Sequence, residues 1–270
     1  MIRHILTCAA VCVMAAPAFA AEPVTFDGIA LGDLKPRAPV YSKGGDLLLF
    51  TAGNPPQIYE SRRISGTWSA PVVAGFSNEG RNWEPFLTPD GKTVIFVSSR
   101  APGDVNRGRA FKSMRTRDDW SKPEPLFLLD DPAGIWFPNG EPAGLIYFSG
   151  DLKDQAGKSD LYVFDMRRPE AGPQRLADLS SPGIEWDPYV SPDGQWMVFV
   201  SDRPGGQGRG DLWLSRRQTD GTWGTPVNAG PKVNTGAYEV AAVFSPDGKT
   251  LYFVREPDQV FAVPFAEVAP

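Results

Sequence analysis

The sequence has only two cysteines and one histidine among 270 residues, and all three (His4, Cys8 and Cys12) fall within the first twelve positions. That stretch reads as an export leader. Arg3 supplies a positive start, residues 5–16 are mainly apolar, and Ala18-Phe19-Ala20 has the small-x-small pattern of a cleavage site. Residues 1–20 are therefore expected to be a signal peptide, with the mature chain beginning at Ala21. Thr7 precedes Cys8 where a lipoprotein signal wants a small residue, and the apolar run continues past it, which argues against a lipid anchor. Without cysteine, the mature chain has no disulfide to hold it in an oxidising compartment and needs a sizeable apolar core instead. Its length is enough to bury one. Without histidine and cysteine it has no Ser-His-Asp triad, no thiol nucleophile and no histidine-rich zinc or iron site. The expectation is that there is no catalytic residue, no metal and no cofactor.

Basic charge is also scarce. The chain carries 27 Lys and Arg against 32 Asp and Glu, a net charge of −5. Removing the single Arg of the leader leaves 26 against 32, or −6. No block or stripe of Lys and Arg occurs, so neither nucleic acid nor an anionic membrane surface is an expected partner. No segment after the leader is long and apolar enough for a membrane span, so no membrane insertion is expected. Sustained helical periodicity is missing as well, and 28 Gly and 27 Pro punctuate the chain throughout.

What the sequence does have is a repeat. Trp83-Glu84-Pro85-Phe86-Leu87-Thr88-Pro89-Asp90-Gly91-Lys92-Thr93-Val94-Ile95-Phe96 recurs as Trp186-Asp187-Pro188-Tyr189-Val190-Ser191-Pro192-Asp193-Gly194-Gln195-Trp196-Met197-Val198-Phe199. It recurs again from Val240 through Ser245-Pro246-Asp247-Gly248 to Phe253, and in weaker form at 42–50 and 136–148. The phenylalanines ending each copy, Phe50, Phe96, Phe148, Phe199 and Phe253, are 46, 52, 51 and 54 residues apart. A period of this size, built from short apolar strands and tight turns, predicts an all-β fold, a five-bladed β-propeller of four-stranded antiparallel blades.

Within each unit the inner strand comes first, and a Pro-Asp-Gly turn closes the hairpin because Pro presets φ and Gly accepts a positive one. The second strand is continuously apolar, as expected of a strand buried between neighbouring blades. A polar loop leads to the third strand, and Trp-x-x-Pro opens the outer one at Trp68, Trp120 and Trp223, where a missing N–H costs no ladder bond. Blades are expected at about 37–80, 81–133, 134–183, 184–237 and 238–270. The last unit ends after its third strand, so residues 21–36 should close the ring, with 24–31 supplying the missing outer strand and removing an exposed edge.

These residues resemble the WD40-like propeller repeat of the TolB type. The likeness lies in Ser-Pro-Asp-Gly-Lys-Thr-Leu-Tyr-Phe at 245–253 with Glu239 ahead of it, and in Ser201-Asp202-Arg203-Pro204-Gly205-Gly206 followed by 210–217. It covers about residues 37–265. It implies work in the cell envelope of a bacterium, through contacts with other proteins. The chain differs from TolB itself in having five units rather than six, and in lacking the additional α/β domain.

Inner strands of a propeller line a central channel. The residues leading into them, Trp83-Glu84, Trp136, Glu185-Trp186-Asp187 and Tyr238-Glu239, are expected to bring acids and aromatics to one rim. The alternative at each position is structural, with acids paired to arginines and tryptophans packed between blades. Arg100 and Arg203, each four residues after a ruler phenylalanine, suit ion pairs with Glu84 or Glu185. Asp160, Asp211 and Asp258 suit turn caps. The loops at 101–109, 151–159 and 204–210 match no phosphate loop. Asp151 and Asp154 lack the spacing of a calcium loop. The expected function is a non-catalytic, periplasmic or secreted monomer that binds an envelope protein or glycan through its funnel rim and loops. The competing expectation is a glycosidase or lyase that uses the funnel carboxylates, chemistry that needs neither His nor Cys.

Overall fold

The computed structural model describes residues 22–23, 26, 28–100, 108–117, 119–127, 134–152, 158–255 and 259–270. The proposed leader, Asp154 and Asp258 lie outside them. Five antiparallel sheets follow one another in chain order, so the architecture is the five-bladed β-propeller that the repeat predicts. The inner strands are Arg37–Tyr41, Asn82–Leu87, Ile135–Gly140, Glu185–Val190 and Glu239–Phe244. The second strands, Leu47–Ala52, Thr93–Ser98, Leu145–Gly150, Trp196–Ser201 and Thr250–Arg255, are almost wholly buried. In the first blade two short segments, Thr67–Trp68 and Val72–Val73, share the outer position.

Side chains of adjacent blades interlock, so the core is a ring of interfaces rather than one central mass. Between the first and second blades, Leu47, Leu49 and Ile58 meet Phe76, Phe96 and Trp120. Between the fourth and fifth, Val198, Val200 and Leu212 meet Leu251, Phe253 and Phe261. The Trp of the Trp-x-x-Pro motif is a wedge in this packing. Trp120 is buried with its Nε1–H on Glu60 at 2.8 Å, and Trp223 is buried against Tyr147. Proline follows three residues later, just before a short outer strand, where the ladder does not need its N–H.

The ring closes through the N-terminus. Glu22–Pro23 adds an outer strand to the last blade, antiparallel to Gln259–Pro264, with Glu22 opposite Ala262 and Pro23 opposite Phe261. The closing strand thus lies just ahead of the expected 24–31. Phe26, Ile29 and Leu31 from that stretch instead pack with Leu34 against Leu48 and Phe50 of the first blade. Their apolar spacing, read as a strand, serves to cover a sheet face.

Every inner strand is interrupted at the same place. Ala38, Glu84, Phe137, Asp187 and Ala241 all have φ between 47° and 55°. The strand register slips there in all five blades, between Arg37 and Val40, Trp83 and Phe86, Trp136 and Asn139, Trp186 and Tyr189, and Val240 and Val243. Left-handed backbone is costly for residues with a Cβ. In four blades the next residue is proline, which disfavours the right-handed helical region for the residue before it. Five such bulges form a ring around the channel, and they decide which side chains face it.

Candidate functional site

In an unbroken strand, residues two apart share a face. Glu185 and Asp187 are two apart and do not, because the bulge at Asp187 turns its side chain into the channel while Glu185 stays inside the blade. Asn82 and Glu84 are divided in the same way, with Asn82 buried and Glu84 in the channel.

The buried member of each pair belongs to a brace. Arg203 Nη2 meets Glu185 at 3.1 Å and the Leu179 carbonyl at 2.6 Å, while its guanidinium lies 4.9 Å from the centre of the Phe199 ring. Arg255 does the same with Glu239 at 2.9 Å and the Val233 carbonyl at 2.8 Å. In the second blade Asn82 replaces the acid, and Arg100 donates to Asn82 Oδ1 at 2.9 Å and the Phe76 carbonyl at 2.6 Å. Burial is the main influence on Glu185 and holds it above the usual carboxylate range, against the pull of Ser181 and Arg203. Four of the ten expected rim residues, Glu185, Glu239, Arg100 and Arg203, therefore sit inside the blades, where each ties an inner strand to the preceding loop. Arg100 meets Asn82 there rather than Glu84. Asp160 and Asp211 are also buried and structural. Asp160 holds Arg175 at 2.6 Å, and Asp211 accepts the N–H groups of Gln207 and Gly208.

The other six, Trp83, Glu84, Trp136, Trp186, Asp187 and Tyr238, come together at the loop-entry mouth of the channel. They line two joined cavities of about 640 and 520 Å³ that share Glu84 and Asp187. The smaller is walled by Trp136, Trp186 and Tyr238, with Asp151 at its edge. Glycine gives the rings their seats. A Cβ on Gly210 would lie 2.7 Å from the Tyr238 ring, and one on Gly134 would overlap Trp136. The larger cavity holds residues that the sequence reading passed over, Lys35, Arg37 and Arg81, beside Asp33 and Trp83. Arg37 occupies in the first blade the place that Trp83, Trp136 and Trp186 occupy in theirs. Its degenerate repeat, with Lys43-Gly44-Gly45 in place of Pro-Asp-Gly, hid that equivalence. An apolar cluster of Ala38, Phe137 and Val243, with Tyr189 against it, lies between this funnel and a smaller cavity of about 290 Å³ at the opposite mouth.

Two carboxylates meet at the funnel floor. Glu84 Oε2 accepts the Phe137 N–H at 2.5 Å and Asp187 Oδ2 accepts the Ala241 N–H at 3.0 Å, so each acid supports the bulge of the next blade. Burial, and then the neighbouring Asp187 charge, push Glu84 well above the usual carboxylate range. Burial raises Asp187 too, and Arg37 draws both back in part. Because the Asp187 charge acts on Glu84, the two titrate as a pair. Among the described residues no group of three or more His, Cys, Asp or Glu is placed to hold a metal ion, and no helix is long and apolar enough to cross a membrane.

Fold and site together define a five-bladed propeller with a mixed-charge aromatic funnel at one mouth. Its repeats resemble those of TolB-like propellers. A TolB homolog of Chlorobium luteolum is 32% identical over 158 residues, which is 58% of this chain and 28% of that protein's length. The structure of a putative TolB from Agrobacterium tumefaciens superposes with a TM-score of 0.59 at 20% identity, covering 82% of this chain and 69% of the other. An α-L-arabinofuranosidase from Lactobacillus brevis superposes with a TM-score of 0.60 at 15% identity, covering 86% of this chain and 90% of the other. At such identities the two structural likenesses establish the fold alone. No protein-family model matches the chain.

Proposed function

We propose that the chain is an exported, non-catalytic propeller of the cell envelope that binds a protein or glycan partner through its funnel. The observation that supports this reading is the set of flat faces, Trp83, Trp136, Trp186 and Tyr238, arranged around a carboxylate pair in a cavity large enough for a ligand. Aromatic surface of this kind gives much contact area for little conformational entropy. The test is crosslinked capture from envelope extract with the chain from residue 21, beside a Trp136→Ala, Trp186→Ala variant. A partner held by the first and lost by the second supports the funnel. A partner held equally by both moves the site elsewhere, and no partner at all sinks the reading.

A second reading, glycoside hydrolysis, draws on the same two carboxylates. Raised acids are what a general acid requires near neutral pH. Release of nitrophenol from aryl glycosides that disappears in Glu84→Gln would support it. No release across a panel of pentosides and hexosides would dismiss it.

A further inference from the structure

We propose that the aromatic half of the funnel receives a primary alkylammonium group, of the kind carried by a lysine side chain or a free diamine. The proposal rests on the reading of the funnel as a binding site and names the chemistry it takes.

Among the described residues, the smaller cavity has three carboxylates, Glu84, Asp151 and Asp187, and three aromatic rings, Trp136, Trp186 and Tyr238, and no Lys or Arg in its walls. Asp151 is already engaged by the Gly134 N–H. Glu84 and Asp187 each use one oxygen on a backbone N–H. Among the described residues, Glu84 Oε1 and Asp187 Oδ1 have no protein donor, and both side chains face the cavity. Open carboxylate oxygens want N–H donors, which a primary ammonium has and a quaternary one lacks. The rings suit the methylene stem, and aromatic faces attract cations. Tyr238 already receives the Arg209 guanidinium at 5.0 Å from its centroid.

Charge balance points the same way. Arg37, from the larger cavity, acts on both acids, with Asp33, Lys35 and Arg81 beside it. Burial raises both carboxylates in spite of Arg37. An ammonium entering from the aromatic side would bring a cation to the pair where, among the described residues, the smaller cavity supplies none. A calcium ion would need about six to eight oxygen ligands, far more than the two open ones here.

The experiment is calorimetric titration of the chain from residue 21 with 1,5-diaminopentane, with a lysine-containing tripeptide blocked at both ends, and with 1,5-pentanediol. Binding of the amines at least tenfold tighter than the diol is expected. It should weaken at least tenfold in a Glu84→Gln, Asp187→Asn variant and in Trp186→Ala. If the double variant does not fold, Trp186→Ala carries the test. A tripeptide tighter than the diamine identifies a protein side chain as the source, and the reverse a free amine. The proposal is overturned if neither amine binds, if the folded variants bind as well as the parent, or if calcium chloride binds and the amines do not. Should the amines fail while the envelope partner is still captured and still lost with Trp136 and Trp186, the ammonium chemistry falls and the funnel reading stands. Should both fail, both fall.

Discussion

Glu84 reaches from the second blade to the backbone N–H of Phe137 in the third, 2.5 Å away, and so a funnel acid also holds the ring position of its neighbour. Asp187 and Ala241 repeat the relationship between the fourth and fifth blades. Recognition and construction share the same atoms at the floor of this funnel, and several measurable consequences come from that.

Stability should fall as pH rises. Glu84 and Asp187 have folded-state pKa values above their unfolded ones, so the folded protein binds more protons between those values. Their stabilising contribution is complete below the unfolded carboxylate range and is lost as pH rises through the raised values. Glu84→Gln keeps an oxygen for the Phe137 N–H and removes the titration. Urea melts at pH 5 and pH 8 should show the parent losing stability relative to the variant by roughly 1–3 kcal/mol. Parallel curves would mean that the pair is fully solvated.

Arg203→Ala should be among the most damaging single changes. It strands the wholly buried Glu185, and an unpaired buried charge costs about 3–5 kcal/mol. Adding Glu185→Gln to Arg203→Met should recover much of that loss. A denaturant midpoint for Arg203→Ala close to the parent would show that Ser181 and Ser201 suffice for Glu185.

Removing residues 21–25 should open the ring. The deletion takes away Glu22 and Pro23, exposes the edge of Gln259–Pro264, and should lower stability by roughly 1–3 kcal/mol while keeping one cooperative transition. An unchanged melting temperature would make the closing strand dispensable.

Ala241→Gly should be neutral or stabilising, although glycine in a strand normally weakens it. At φ 52° glycine relieves left-handed strain of about 1 kcal/mol, which offsets the entropy it adds to the unfolded chain. Ala242→Gly, one residue on and fully buried, is the control and should cost about 1 kcal/mol or more. Equal losses at the two positions would show that the bulge carries no strain.

The architecture was legible because each local signal agreed with the repeat. Pro-Asp-Gly turns, apolar second strands and Trp-x-x-Pro wedges all keep one period, so blade number and strand order could be read directly. The site was half legible, for a reason found in the backbone. Strand alternation puts Glu185 and Asp187 on one face, and only the left-handed bulge separates them into a brace and a funnel acid. Asp-Pro and Glu-Pro at those positions were the available hint, since proline already biases the residue before it. Arg37 was missed because the first repeat lacks the turn that would have aligned it with Trp83, and Lys35 and Arg81 because they lie ahead of the inner strands, outside the repeated motif. The pairing of Glu22–Pro23 with the last blade left no mark in its two residues beyond the need for some strand to fill that edge.

The five left-handed residues are set by backbone, yet they carry Ala, Glu, Phe, Asp and Ala. The scaffold therefore tolerates apolar, acidic and bulky side chains at one geometrically equivalent station. At the stations whose side chain does not brace the next blade, a descendant of this protein can rewrite what its funnel recognises one codon at a time, while Glu84 and Asp187 tie any change to the blade beside them.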